Sequence, residues 1–162
     1  MGRVETERKF LVDRAKWIAA GRGHGILYRQ GYLCTDPATT VRVRLEGDRG
    51  TLTIKGPGAM SRSEYEYEIP AGDAEELLHL AAARMVEKTR TRVRVGDHTW
   101  EVDEFHGANA GLLMAEIELE SPDEPFEQPE WAEEEVTGDP RYHNSWLAEH
   151  PFSGWKKENP GR

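Results

Sequence analysis

The sequence predicts a mainly β protein with flanking helices, an α+β chain built on an antiparallel sheet of about eight strands. Two observations carry that reading. Charged and apolar residues alternate with period two through most of the chain, as where Arg42 and Arg44 interleave with Val41, Val43 and Leu45. Short turns separate several of these runs, at Gly47-Asp48-Arg49-Gly50, Gly56-Pro57-Gly58 and Gly96-Asp97, and each suits a hairpin.

Residues 4–12 open the chain as a strand, and 13–20 follow as a short helix. Residues 27–34 are a further strand. The runs 40–46 and 50–55 flank the first turn, and 63–69 follows the second, with Glu64, Glu66 and Glu68 alternating with Tyr65, Tyr67 and Ile69. Residues 73–84 have helical period, acids at the start and Arg84 at the end, as the helix dipole prefers. Strands at 88–95 and 99–105 flank Gly96-Asp97, and 114–120 is the last. Residues 139–150 form a third helical segment, with Tyr142, Trp146 and Leu147 on one side. The acidic stretch 123–135 reads as a solvated loop. Gly21-Arg22-Gly23-His24-Gly25 reads as a flexible turn, since it lacks the Lys-Ser/Thr that follows in a phosphate loop.

At 162 residues the chain has single-domain length, so 1–162 is expected to be one domain with 151–162 as a C-terminal tail. A net charge of −9 argues against a nucleic-acid partner and against an anionic membrane surface. No apolar run approaches about 18 residues, and Met1-Gly2-Arg3-Val4-Glu5 runs straight into charge, so a cytoplasmic location is expected. Cys34 is the single cysteine, which excludes an intrachain disulfide and a thiolate metal cluster within one chain; it reads as a small buried residue. The six histidines are scattered and form no ligand pair. These patterns leave the oligomeric state open.

Residues two apart on a strand share a face, so each strand carries two stripes. One stripe is charged and sorted by sign: Glu5, Glu7 and Lys9; Arg42 and Arg44; Lys55; Glu64, Glu66 and Glu68; Lys88, Arg90, Arg92 and Arg94; Glu101 and Asp103; Glu116, Glu118 and Glu120. A merely solvated face would mix Ser, Thr, Asn and Gln among its charges. Acid-rich strands can coordinate a hard divalent cation and base-rich strands can neutralise phosphates, so one concave surface could hold a metal–polyphosphate complex. If the sheet closes, this face becomes a lumen and the apolar stripes need cover from the helices. Glu101, Glu120, Arg92 and Arg94 lie near strand ends, where rim and functional positions are both open.

At Glu5-Thr6-Glu7-Arg8-Lys9 the sequence resembles the ExExK signature that opens the CYTH family, also called triphosphate tunnel metalloenzymes. Further segments match in the family's order: Gln30-Gly31-Tyr32-Leu33, Val41-Arg42-Val43-Arg44, Leu52-Thr53-Ile54-Lys55, Arg62-Ser63-Glu64-Tyr65-Glu66, Val86-Glu87-Lys88-Thr89-Arg90, Glu101-Val102-Asp103, Ala115-Glu116-Ile117-Glu118 and Asp139-Pro140-Arg141-Tyr142-His143-Asn144. The resemblance runs from about Val4 to Leu147 and is nearest to the short bacterial members, which are similar to inorganic triphosphatases.

The resemblance implies a closed antiparallel β-barrel of about eight strands around a charged tunnel. It also implies divalent-metal-dependent hydrolysis of inorganic triphosphate to pyrophosphate and phosphate. Carried over residue by residue, Glu5, Glu7, Glu116 and Glu118 are expected to hold Mg²⁺ or Mn²⁺. Lys9, Arg42, Arg44, Lys55, Lys88, Arg90 and Arg141 are expected to grip the phosphates of a small-molecule triphosphate. Glu64, Glu66, Lys88 and Asp103 are expected to serve the reaction, the two glutamates by positioning a second metal or orienting water. A CYTH-type adenylate cyclase, a nucleoside or thiamine triphosphatase and a non-catalytic polyphosphate-binding module would use the same groups. The lack of a base-recognition motif favours a substrate without a base, and the full acidic set disfavours plain anion binding. Tyr32 matches a family tyrosine and reads as buried. His143 departs from the pattern, standing where close relatives often carry Lys.

Overall fold

A computed structural model describes residues 3–21 and 23–157. Its strands are β1 (Arg3–Val12), β2 (Ile26–Cys34), β3 (Thr40–Glu46), β4 (Arg49–Lys55), β5 (Ser61–Ile69), β6 (Met85–Val95), β7 (His98–Phe105), β8 (Leu113–Leu119) and β9 (Ala132–Glu135). Helices α1 (Arg14–Ala20) and α2 (Ala71–Leu80) interrupt them, and α3 (Asn144–Glu149) follows the last.

The strands run antiparallel in the order β5-β4-β3-β2-β6-β7-β8-β1. The barrel closes because β1 is long enough to serve two neighbours. Its start pairs with β5 from Arg3↔Glu64 to Thr6↔Ser61, while Thr6 to Leu11 pair with β8 on the other edge. Where β5 leaves that edge, β9 takes over at Phe10↔Glu135 and Val12↔Ala132. Closure turns the alternating pattern into an inside and an outside, with the charged stripe inward.

The apolar stripes therefore face out and need cover. Phe10, Trp100, Val102 and Ile117 on β1, β7 and β8 are roofed by Trp131, with Trp17 of α1 and Phe126 packed alongside. Removing a buried ring of this kind, as in Trp100→Ala, typically costs about 3–5 kcal/mol. Helix α2 lays Ala74 and Leu78 over Val43 and Leu45 of β3. Gly31 permits the approach of the chain after α2 to β2: a Cβ there would stand 2.7 Å from the Ala81 Cβ. A third group, including Tyr32, Phe105, Leu112, Tyr142 and Leu147, packs the segment after β9 against one end of the barrel.

Three expectations are corrected. The stretch 123–135 is not all loop: Ala132–Glu135 is a strand, Trp131 and Ala132 are buried, and Arg8 forks onto Glu135 through Nε at 2.8 Å and an NH2 at 2.6 Å. Its three glutamates face out, so four residues carried too little apolar signal to mark it. The helix expected over 139–150 breaks in two. Asp139 accepts from the Arg141 N–H to cap a 3₁₀ turn at Pro140–Tyr142, His143 is extended, and α3 starts at Asn144. The expected tail is partly docked, since Phe152–Lys157 forms a 3₁₀ turn with Phe152 and Trp155 packed near Tyr142; residues 158–162 lie outside the described residues. No helix among the described residues is long and apolar enough to cross a membrane.

Candidate active site

The barrel encloses a polar cavity of about 240 Å³, lined from β1 by Glu5, Glu7 and Lys9, from β3 by Arg42 and Arg44, and from β4 by Lys55. Arg62, Glu64 and Glu66 of β5, Lys88, Arg90 and Arg92 of β6, Glu101 of β7, and Glu116 and Glu118 of β8 also line it. His143, Asn144 and Ser145 border it from the start of α3. Strand register explains the convergence. Lys55 lies opposite Glu64, Arg90 opposite Asp103, Lys9 opposite Glu116 and Glu7 opposite Glu118, so charges far apart in sequence become cross-strand neighbours.

Asp103 lies beneath the cationic wall rather than on the cavity surface. It takes a forked pair from Arg90, Nε at 2.8 Å and an NH2 at 2.8 Å, and the Lys88 ammonium at 2.8 Å, with its own carboxylate 2 % exposed. Arg90 also reaches Glu116 at 3.3 Å and Glu101 at 3.1 Å. Burial pushes the Lys88 ammonium down to about 7, helped by Arg90 and Arg44 and opposed by Asp103. Burial likewise brings Arg44 down to about 10, with Arg42 and Arg90 adding like-charge repulsion. Arg42 donates to the Thr53 hydroxyl at 3.1 Å, yet its Nε is buried without a partner. Lys88 and Arg90 are thus matched by buried carboxylates, whereas Arg42 and Arg44 face the lumen with no carboxylate oxygen nearer than 3.9 Å among the described residues.

On the opposite wall the carboxylates crowd in turn. Oxygens of Glu5, Glu64 and Glu118 lie within 4.8 Å of one another, a spacing a divalent ion can bridge. Burial raises the Glu64 and Glu118 carboxyls, and Glu5 raises both further. Burial also acts on Glu5, but the Lys55 ammonium at 2.8 Å outweighs it and holds that carboxyl low. Glu7 is pushed up to about 7 by burial and by Glu116. Burial acts upward on Glu116 too, but Lys9, Arg90 and Lys88 outweigh it and hold this acid well below the usual range. Hard oxygen donors under mutual repulsion fit a hard divalent cation.

Among the metal-site expectations, Glu5 and Glu118 meet, but their third partner is Glu64 rather than Glu7 or Glu116. Glu116 is taken up by Arg90 at 3.3 Å, and Glu7 faces Arg62 at 3.9 Å. The cause is closure, which sets the start of β1 against β5 as well as β8. Lys9, Arg42, Arg44, Lys55, Lys88 and Arg90 all come together. Arg141 does not line the cavity: the 3₁₀ turn at Pro140–Tyr142 folds it onto Asp139 at 2.7 Å and over the Trp155 ring at 5.4 Å. Asp103 serves as an anchor under Lys88 and Arg90. Tyr32 is buried as expected and also borders the cavity. His143 borders it as a neutral ring, its basicity lowered to about 4 by burial and by Lys9, Arg62 and Lys55.

Sequence reasoning missed Arg62, Tyr28, Gln30 and Asn144. Arg62 precedes the strand start expected at 63, though its parity with Glu64 marked it. Tyr28 and Gln30 lie on an inner face without charge, so the sorting of charges could not find them.

Comparison with known proteins places this geometry. Residues 3–143 match the CYTH domain. An inorganic triphosphatase of Acetivibrio thermocellus is 46% identical over 155 residues, covering 94% of this chain and 98% of that protein. An inorganic triphosphatase of Nitrosomonas europaea is 40% identical over 150 residues, covering 90% and 97%. The crystal structure of the inorganic triphosphatase NE1496 superposes with a TM-score of 0.61 at 36% identity, covering 90% of this chain and 94% of that one. The closed antiparallel barrel, its sign-sorted lumen and these matches agree: the chain belongs to the CYTH domain family.

Proposed function

We propose that this protein hydrolyses inorganic triphosphate to pyrophosphate and phosphate within the tunnel, with Mg²⁺ or Mn²⁺ as cofactor. The observation that carries the reading is that Arg42 and Arg44 face the lumen with no carboxylate oxygen nearer than 3.9 Å among the described residues, across from the carboxylate cluster of Glu5, Glu64 and Glu118. A metal–triphosphate complex supplies an anion to the first and a cation to the second. The relatives named inorganic triphosphatase support the same substrate.

In this reading Arg42, Arg44, Lys88 and Arg90 grip the phosphate chain, with Lys9 and Lys55 beside them. Guanidiniums fork onto phosphate oxygens and, held in place before the reaction, stabilise charge on the transferring and leaving groups. Asp103 keeps Arg90 and Lys88 aimed at the lumen. Glu5, Glu64 and Glu118 would hold the metal, with Glu7 and Glu116 next to them. The ion supplies Lewis-acid polarisation of a phosphoryl oxygen and lowers the pKa of water. Glu66, which accepts from the Thr53 hydroxyl at 3.2 Å, would orient water for in-line attack, which requires no covalent intermediate. Residues 1–162 act as one domain, and the lone Cys34 is in keeping with a cytoplasmic setting.

The test is a panel of tripolyphosphate, ATP, thiamine triphosphate and pyrophosphate, each with Mg²⁺ or Mn²⁺, scored for phosphate, pyrophosphate and cyclic nucleotide. Tripolyphosphate hydrolysis well above the other substrates is expected. Preference for ATP, or formation of cyclic nucleotide, would overturn the assignment.

A further inference from the structure

The inner face of β2 is neutral in a lumen otherwise sorted into acids and bases, and its Tyr28 and Gln30 are 0 % exposed. A buried amide must satisfy both its ends. Gln30 does so entirely within the cationic wall. Its Oε1 accepts from Arg44 Nε at 2.9 Å, and its Nε2 donates to Asn144 Oδ1 at 3.1 Å and to the Tyr32 hydroxyl at 3.0 Å. Asn144 Oδ1 in turn accepts from Lys88 Nζ at 2.9 Å. The orientation of both amides follows from Arg44, which can only donate and so must meet Gln30 Oε1; this turns the Gln30 nitrogen toward Asn144 Oδ1, the oxygen that also accepts from Lys88.

We propose that Gln30 is a positioning residue for the reaction, one amide that aims Arg44 directly and Lys88 through Asn144. This rests on the triphosphatase reading for its substrate but on its own hydrogen bonds for its geometry. By occupying Arg44 Nε, Gln30 leaves the two terminal NH2 groups for phosphate. By turning Asn144 Oδ1 toward β6, it gives Lys88 a neutral acceptor that complements Asp103 on the same ammonium. Tyr28 assists from the same face, with the Arg44 and Arg90 guanidiniums 4.8 and 5.2 Å from its ring, within the range of cation–π attraction. Arg44 and Lys88 belong to β3 and β6, the two strands that flank β2, and β2 couples them.

The variants are Gln30→Met, which keeps length and removes both hydrogen-bonding ends, Asn144→Ala, and Asn144→Asp, which keeps the acceptor oxygen. Each is measured for kcat and KM on tripolyphosphate with metal, alone and combined. Gln30→Met should lower kcat roughly 10- to 100-fold with a smaller change in KM, because misaimed donors cost more as charge develops. Asn144→Ala should lower kcat, and Asn144→Asp should recover most of it. The double variant Gln30→Met/Asn144→Ala should lose less than the product of the single losses, since both break one relay. A folded Gln30→Met with wild-type kcat, or losses that simply multiply, would overturn the proposal. If Gln30→Met does not fold, the Asn144 pair decides it: equal activity in Asn144→Ala and wild type, or no recovery in Asn144→Asp, would refute the relay. Calorimetric binding of tripolyphosphate without turnover separates the two ideas. Should the wild type bind without hydrolysing, the triphosphatase reading fails, while weaker binding by Gln30→Met still supports the positioning role and unchanged binding rejects it.

Discussion

Asp103→Asn removes one negative charge from beneath two buried cations while preserving shape. Asp103 accepts from Arg90 twice at 2.8 Å and from Lys88 at 2.8 Å, with all three side chains buried. Removing one partner of a buried ion pair costs about 3–5 kcal/mol, because the remaining charge has lost both water and its counter-ion. Arg90 keeps Glu116 at 3.3 Å and Glu101 at 3.1 Å, so the lower end applies, about 3 kcal/mol. For a chain of this length each kcal/mol corresponds to about 2–4 °C, so the midpoint should fall by roughly 6–12 °C. Thermal scans and urea titration of both proteins, with and without tripolyphosphate, measure this. The polyanion returns negative charge to the wall, so it should raise the midpoint of the variant more than that of the wild type. A variant within about 1 kcal/mol of wild type, with an equal ligand shift, would show that Asp103 does not hold the wall together.

Arg44→Ala should fold and lose about 2–4 kcal/mol of transition-state stabilisation, read as kcat/KM on tripolyphosphate; unchanged turnover would remove Arg44 from the site. Glu118→Gln and Glu64→Gln should each raise the metal concentration for half-maximal rate roughly 10–100-fold, and an unaltered requirement in both would mean the metal lies elsewhere. The Lys88 ammonium titrates near 7 in the folded protein against about 10.4 in the unfolded chain, so across that window the unfolded chain binds more protons and stability rises with pH, flat below it. Urea midpoints taken across the window should show this rise in the wild type and its loss in Lys88→Met. The same depressed ammonium should take up a proton when tripolyphosphate binds above pH about 7, seen as a dependence of binding heat on buffer that Lys88→Met abolishes.

The lumen was legible because its signal is doubly redundant: period-two alternation gives the face, and sign sorting distinguishes it from a solvated one. Arg42, Lys55, Lys88 and Glu118 were all marked this way and all line the cavity. What escaped was set by partners distant in sequence. Glu64 joins Glu5 because β1 pairs with β5 at closure, and no single strand shows that. Arg141 carries the charge expected of a phosphate ligand, but the turn at Pro140–Tyr142 returns it to Asp139 two residues back. Strand β9 is held by Trp131 and by Arg8 across the barrel exterior, contacts that its glutamate-rich sequence does not show. Gln30 and Tyr28 look like ordinary strand residues until the barrel closes around them.

If the tunnel holds a metal–triphosphate complex, tripolyphosphate added to the folded protein releases phosphate and pyrophosphate. Equimolar products are expected with Mg²⁺ or Mn²⁺. None is expected in excess chelator, with an unchanged circular dichroism spectrum, since the barrel's hydrogen bonds involve no metal. Full hydrolysis in chelator, or no hydrolysis with either ion in a folded protein, would contradict a metal–triphosphate site in the tunnel.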